Sequence, residues 1–266
     1  MKNIIFIEGV SGVGKSTTVN KLGEELRQLG FSVDCFVEGD PHSPLDICWA
    51  AYLTIPEYEK ILNDYPQFAE SLLENIIYRD DYILLRYQVE RTPLYSPELH
   101  SELHKREFCY NPTNTAPISK FTEVFTKLWE RFAQNANAKN DYAIFDASLV
   151  GHMTNDLIRC YNATESELVE HMEMLLKIIR HMNPIIFYLS SDNVTERLIE
   201  ARHSRGQPPP DDGRIEFWNK RKAMDLSVLP KLSIKYEVLN ITNDKWDSAI
   251  SYIVSQITNR EKGSVK

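Results

Sequence analysis

The chain has 266 residues, 42% of them hydrophobic and 26% charged, proportions of a globular protein with room for one large α/β domain or two small ones. A formal net charge of −8 argues against a surface built to hold a nucleic-acid polymer. No stretch approaches the roughly 20 apolar residues that span a bilayer, and an apolar segment starts after one lysine with no signal sequence, so a cytoplasmic location with no membrane partner is expected.

Residues 2–8, KNIIFIE, read as a short strand. Gly9, Val10, Ser11, Gly12, Val13, Gly14, Lys15 and Ser16 follow at once. From Thr17 onward apolar residues recur at Val19, Leu22, Leu26 and Leu29, a helical spacing closed by Gly30. Strand, glycine-rich loop and helix form the context in which G-x-x-x-x-G-K-[ST] binds phosphate. Glycines let backbone amides converge on phosphate oxygens, and the helix N-terminus adds its dipole. Lys15 can reach β- and γ-phosphates and the Ser16 hydroxyl can hold Mg²⁺. Residues 9–17, with Thr17 as the last, are therefore the expected nucleotide-binding residues. A dinucleotide fingerprint fails, because Gly12-Val13-Gly14 is followed by Lys-Ser-Thr.

Residues 30–37 read as a second strand, ending in Glu38-Gly39-Asp40. Residues 44–110 are helical in tone and punctuated by Pro56, Pro66, Pro93 and Pro97, with helices expected near 66–78 and 79–91; residues 111–117 are a turn cluster. Phe121, Val124, Phe125, Leu128, Trp129 and Phe132 share a broad helix face behind Ser119 as N-cap. Residues 142–145 give a third strand that ends at Asp146. Thr164 with Glu167 makes a capping box for the next helix. Residues 184–189 form an apolar run suited to a buried parallel strand. A helix from about 192, a loop over 202–213, a helix over 214–229, a strand over 236–241, a helix over 246–257 and a polar tail from Asn259 complete the chain. Alternating strands and helices imply a parallel sheet covered on both faces, in one domain over 1–266 with a helical insert at about 44–118. Four widely spaced cysteines without a C-x-x-C are expected to be reduced structural thiols.

Loop Gly9 to Ser16, the acidic strand ends at Glu38 and Asp146, and an arginine-bearing segment after the fourth strand occur in one order. In that order the chain resembles the P-loop nucleoside and nucleotide kinases, most closely the thymidylate kinase and deoxynucleoside kinase group. The resemblance implies a three-layer P-loop NTPase fold with a five-stranded parallel sheet of order 2-3-1-4-5. It implies ATP with Mg²⁺ as donor and a small-molecule acceptor, a nucleoside or nucleotide, held by the insert; the one macromolecular partner left open is a second copy of the chain, as a homodimer.

Glu38, in VEGDP, matches the family's acid beside the acceptor, where a carboxylate can take a proton from an attacking hydroxyl. Asp40 competes for that role, and a turn-capping acid is the plain alternative. Asp146 can hold Mg²⁺ or cap the segment that follows. Residues 197–213, with Arg197, Arg202 and Arg205, resemble the family's lid; Arg202 and Arg205 would stabilise the transferring phosphoryl group, the alternative being a surface loop. The turn at Asn240-Ile241-Thr242-Asn243 matches the region of the family's adenine site. One departure stands out: family members carry Arg directly after the strand-three acid, and here Ala147 follows. Arg79, Arg86 and Arg91 are the candidates to replace it. The departure keeps open a kinase of antibiotic or other metabolite hydroxyls, of the chloramphenicol phosphotransferase kind. A P-loop ATPase or switch acting on a protein is the alternative of another class.

Overall fold

A computed structural model describes residues 3–89, 92–109, 111, 117–136, 140–241 and 246–264, with side chains to Asn259. The first half contains β1 (Asn3–Glu8), α1 (Lys15–Gln28), β2 (Val33–Phe36), β3 (Ala50–Thr54), α2 (Ile55–Asp64), α3 (Ala69–Glu74), β4 (Ile76–Arg79), β5 (Tyr82–Arg86), β6 (Gln88–Val89), β7 (Thr92–Pro93), α4 (Pro97–His104) and α5 (Ile118–Asn135). The second half contains β8 (Tyr142–Asp146), α6 (Val150–Tyr161), α7 (Glu165–Ile179), β9 (Ile185–Ser190), α8 (Val194–Ser204), α9 (Asp212–Val228), β10 (Lys235–Asn240) and α10 (Trp246–Ser264).

Five parallel strands lie in the order β10-β9-β1-β8-β2. Numbered along the chain within this sheet alone, they run 2-3-1-4-5, because β3 to β7 belong to the insert. The register sets Ile5 beside Ile144 and Ile185, and Phe6 beside Phe145 and Ile186. Alternation in β1 sends Ile4 and Phe6 into one core, with residues of α5, α6 and α7, and Ile5 and Ile7 into another, with residues of α1, α8 and α10. A strand buried on both faces is apolar at every position, which is why KNIIFIE reads as a continuous run. The carboxyl ends of β1, β8 and β2 point to one edge of the sheet, bringing together the loop at Gly9, the acid at Asp146 and Glu38.

The insert corrects the expectation of helices near 66–78 and 79–91. Helix α3 ends at Glu74, and the segment then forms a hairpin, β4 and β5, in a three-stranded antiparallel sheet of order β3-β5-β4. The physical reason is burial on both faces: Tyr82 and Leu84 join the main core, while Ile83 and Leu85 join a separate cluster under α2 and α4. Such a strand shows no polar alternation, and its apolar run imitates a helix interior. A second difference is α6, a helix in a stretch left unassigned by the sequence pattern. Arg91, residues 112–116 of the turn cluster, and Thr242 and Asn243 lie outside the described residues. Among the described residues no helix is long and apolar enough to cross a membrane, and all four cysteines are free thiols.

Candidate active site

Gly9, Gly12 and Gly14 take φ of 138°, 86° and 84°, values that residues with a Cβ rarely adopt. Crowding adds a second requirement. A Cβ on Gly12 would lie 2.5 Å from the Arg197 carbonyl oxygen, and one on Gly14 2.4 Å from Trp246 Nε1. Helix α8 and the start of α10 therefore pack directly on the loop. Trp246 donates from Nε1 to the Val13 carbonyl at 2.9 Å, and the Arg197 guanidinium lies 4.7 Å over its ring. Val10 and Val13 turn their side chains into the core, which leaves the loop's backbone for a ligand.

Lys15, the first residue of α1, is 9% exposed and directs Nζ toward the Val10 carbonyl at 3.4 Å. Ser16 donates its hydroxyl to Asp146 Oδ2 at 2.5 Å, while Asp146 Oδ1 is buried with no hydrogen-bond partner. Burial pushes the Asp146 carboxyl up, against the pull of Lys15 and the Ser16 hydroxyl. An orphaned carboxylate oxygen beside a hydroxyl is a donor set suited to a hard cation such as Mg²⁺. Among the described residues no group of three or more acidic, His or Cys side chains could hold a metal, so these two residues would share an ion with water and phosphate oxygens.

A second helix N-terminus meets the site at the end of β8. Ala147 takes the left-handed φ of 55° and turns the chain from β8 into α6. The helix lacks a side-chain cap of its own at Leu149. Instead Glu8, fully buried at the end of β1, accepts hydrogen bonds from the amides of Leu149 (2.9 Å), Val150 (3.0 Å) and Gly151 (2.7 Å). Burial raises the Glu8 pKa to about 7 even against those three amides. The side chain thus plays the role of an N-cap from 141 residues away in sequence.

Helix α6 carries His152, Asn155 and Asp156 inward, all under 8% exposed. His152 Nε2 stands 3.8 Å from Glu38 Oε1. Burial pushes the imidazole pKa down, but Asp46, Glu38 and Asp156 outweigh it and bring it to about 9. His152 in turn, ahead of Lys15 and Arg205, holds Glu38 near about 2 against the effect of burial. Glu38 remains 52% exposed at its side chain because it faces an open cleft. Asp40, its competitor, caps its own turn by accepting from His42 N at 2.8 Å and lies away from the loop.

Three adjoining cavities share Ser11, Glu38 and Arg205. One of about 370 Å³ runs along Gly12, Gly14 to Thr17, Arg197 and Trp246. Another of about 400 Å³ lies between Trp49, Trp218, Arg159, Arg202 and Arg214. Between them a junction of about 100 Å³ is lined by Lys15, His152, Asn155 and Arg221. Trp49, like Ala147, is left-handed with φ of 55°, an outlier for a bulky side chain that marks a constrained site. The arginines make the larger cleft basic in a chain of net charge −8.

In the segment expected to form a lid, α8 ends at Ser204, residues 205–211 cross to α9, and Asp211 caps α9 by accepting from Arg214 N. Arg202 donates to the Pro208 carbonyl and lines only the 400 Å³ cleft, whereas Arg205 lines all three cavities. If the site transfers a phosphoryl group, Arg205→Ala should lower kcat by about 10²-fold, and Arg202→Ala by less, with donor affinity nearly kept. Steady-state kinetics on both single variants and the double variant check this; wild-type rates in all three would reduce the segment to a surface loop.

Arg79 is exposed on β4, and Arg86 lines a separate cavity of about 510 Å³ with Phe36, Leu128 and Phe132, so neither reaches the junction. Residues that the sequence did not single out are Glu8, Trp49, His152, Trp218, Arg221 and Trp246. A charge closing an apolar strand was the available signal for Glu8; the three tryptophans carried none. Compared with known proteins, the chain matches no family model and no curated protein.

Proposed function

We propose that the protein is an ATP-dependent phosphotransferase acting on a small-molecule acceptor, with nucleosides and nucleotides as the class that the resemblance favours. The observation that carries this reading is the junction cavity, where Lys15 at the foot of the phosphate loop, Glu38 and Arg205 face one space between two larger clefts. In this reading the donor's phosphates lie on the amides of Gly9 to Thr17, and its base end falls toward Arg197 and Trp246. Lys15 and Arg205 neutralise charge on the transferring group. Ser16 and Asp146 would hold Mg²⁺, which supplies Lewis-acid stabilisation of phosphate charge. The acceptor enters between Trp49 and Trp218.

A carboxylate held near about 2 is a weak proton acceptor. Glu38 then serves chiefly to keep His152 and Lys15 in place, and a phosphate acceptor, which needs no strong base, fits better than a hydroxyl. Glu38→Gln is expected to change kcat by less than about tenfold; a fall of about 10²–10⁴-fold would make it the general base of a hydroxyl kinase.

The reading is tested by ATP consumption against a panel of nucleosides, nucleotides and hydroxyl-bearing antibiotics. Consumption should rise well above background with at least one nucleoside or nucleotide. A rise with antibiotics alone would favour the hydroxyl-kinase alternative. Hydrolysis without acceptor, or only with a protein, would replace the kinase reading with an ATPase or switch.

A further inference from the structure

One buried cation at the junction has no part in the steps above. Arg221, on α9, is 2% exposed. One edge of its guanidinium is fixed, since Nε donates to Asp225 Oδ1 at 2.8 Å and Asp225 Oδ2 accepts from the Tyr188 hydroxyl at 2.9 Å. Nη2, beside Nε on the guanidinium, is buried without a hydrogen-bond partner in the protein, and the residue lines the junction cavity. The local geometry places it in front of Ala147. Nη2 lies 3.8 Å from where a Cβ on Gly151 would stand, and that point is 2.5 Å from the Ala147 Cβ.

A buried N–H without an acceptor is destabilising, and more so when charged. The residue that carries it lines a space of about 100 Å³ together with Lys15, Arg205 and His152. His152 is held protonated by Asp46, Glu38 and Asp156. Among the residues that line it, Lys15, Arg205, Arg221 and His152 stand with one carboxylate, Glu38. The nearby amides of α6 are already taken by Glu8 and offer nothing to a ligand. A planar guanidinium anchored through Nε, with N–H capacity left unused, is suited to recognise an oxyanion.

We propose that Arg221 is an oxyanion anchor on the acceptor side of the junction: its guanidinium hydrogen-bonds a phosphate oxygen of the acceptor, which makes the acceptor a phosphate-bearing molecule and not a neutral alcohol. The assignment of that phosphate to an acceptor rests on the phosphotransferase reading; the anion site itself does not.

The test is calorimetric titration of inorganic phosphate into the protein, unloaded and saturated with ADP and Mg²⁺. Two variants keep the fold testable. Arg221→Lys retains the charge beside Asp225 without the fork. Arg221→Met with Asp225→Leu removes both buried charges together, so that neither is left unpaired. Phosphate should bind the ADP-loaded wild type, and about tenfold or more weakly in both variants, with ADP affinity and melting temperature nearly kept. Unchanged phosphate affinity in the folded variants, or no phosphate binding to the loaded wild type, overturns the proposal. If the wild type fails to bind ADP and Mg²⁺, the donor reading falls, and the unloaded titrations still decide whether Arg221 holds an anion.

Discussion

On the proposed phosphotransferase function, Lys15→Ala should lower kcat/KM for phosphoryl transfer by about 10³-fold or more, about 4 kcal/mol of transition-state stabilisation, while the protein stays folded. Its ammonium lies 3.4 Å from the Val10 carbonyl and lines both the loop cavity and the junction. A cation fixed beside the phosphate loop acts on developing phosphoryl charge without reorganising at the moment of reaction. Its loss is felt twice, because Lys15 also pulls down the pKa of Glu38 and Asp146. The fold has little stake in the side chain, whose one hydrogen bond is to a loop carbonyl, and alanine suits the first turn of α1. Turnover and thermal unfolding, measured on the same preparation, decide the matter; unchanged turnover in a folded variant would remove the loop from the mechanism.

Glu8→Gln should flatten the pH dependence of stability that the wild type shows on the alkaline side of pH 4.5. The carboxyl titrates at 4.5 in the unfolded chain and at about 7 in the fold, where burial dominates. A raised carboxyl pKa means that the folded state holds its proton longer. Its contribution is complete below pH 4.5 and declines as the pH rises through about 7, by about 3 kcal/mol in all. Glutamine has no proton to lose, so the difference between the two proteins isolates this group. Urea unfolding at half-unit steps from pH 4.5 to 8 measures it, and parallel curves would show that Glu8 does not titrate in that window. Because the wild type loses this contribution as the pH rises and the variant does not, the stability of the variant relative to the wild type should rise between pH 4.5 and 8.

The strand–loop–helix at the start was legible because all its parts are contiguous and each has its own signature. Glu38 and Asp146 were legible as acids closing apolar strands. The insert was misread because β5 is buried on both faces and carries no alternation. Helix α6 went unseen for a functional reason. Its inward positions include His152, Asn155 and Asp156, which break the apolar period where the site needs polar groups. Arg221 and Asp225 are four apart on α9, a spacing that reads as a solvent-exposed pair; only the three-dimensional packing shows both to be buried. Capping of α6 by Glu8 joins residues from distant parts of the chain, and no local pattern encodes it.

The central place of β1 has a consequence for biosynthesis. Asn3 pairs with Tyr142 and Ile5 with Ile185. The strand is therefore made long before either neighbour, an interval on the order of ten seconds at cellular translation rates. Throughout it, Ile4, Ile5, Phe6 and Ile7, which end wholly buried, have no edge to pair with. Such a proline-free, β-prone apolar run is an aggregation hazard on the nascent chain, and a natural handhold for a chaperone. Trp246, which braces the phosphate loop through Val13, is translated later still. The loop is thus made long before its wall is in place.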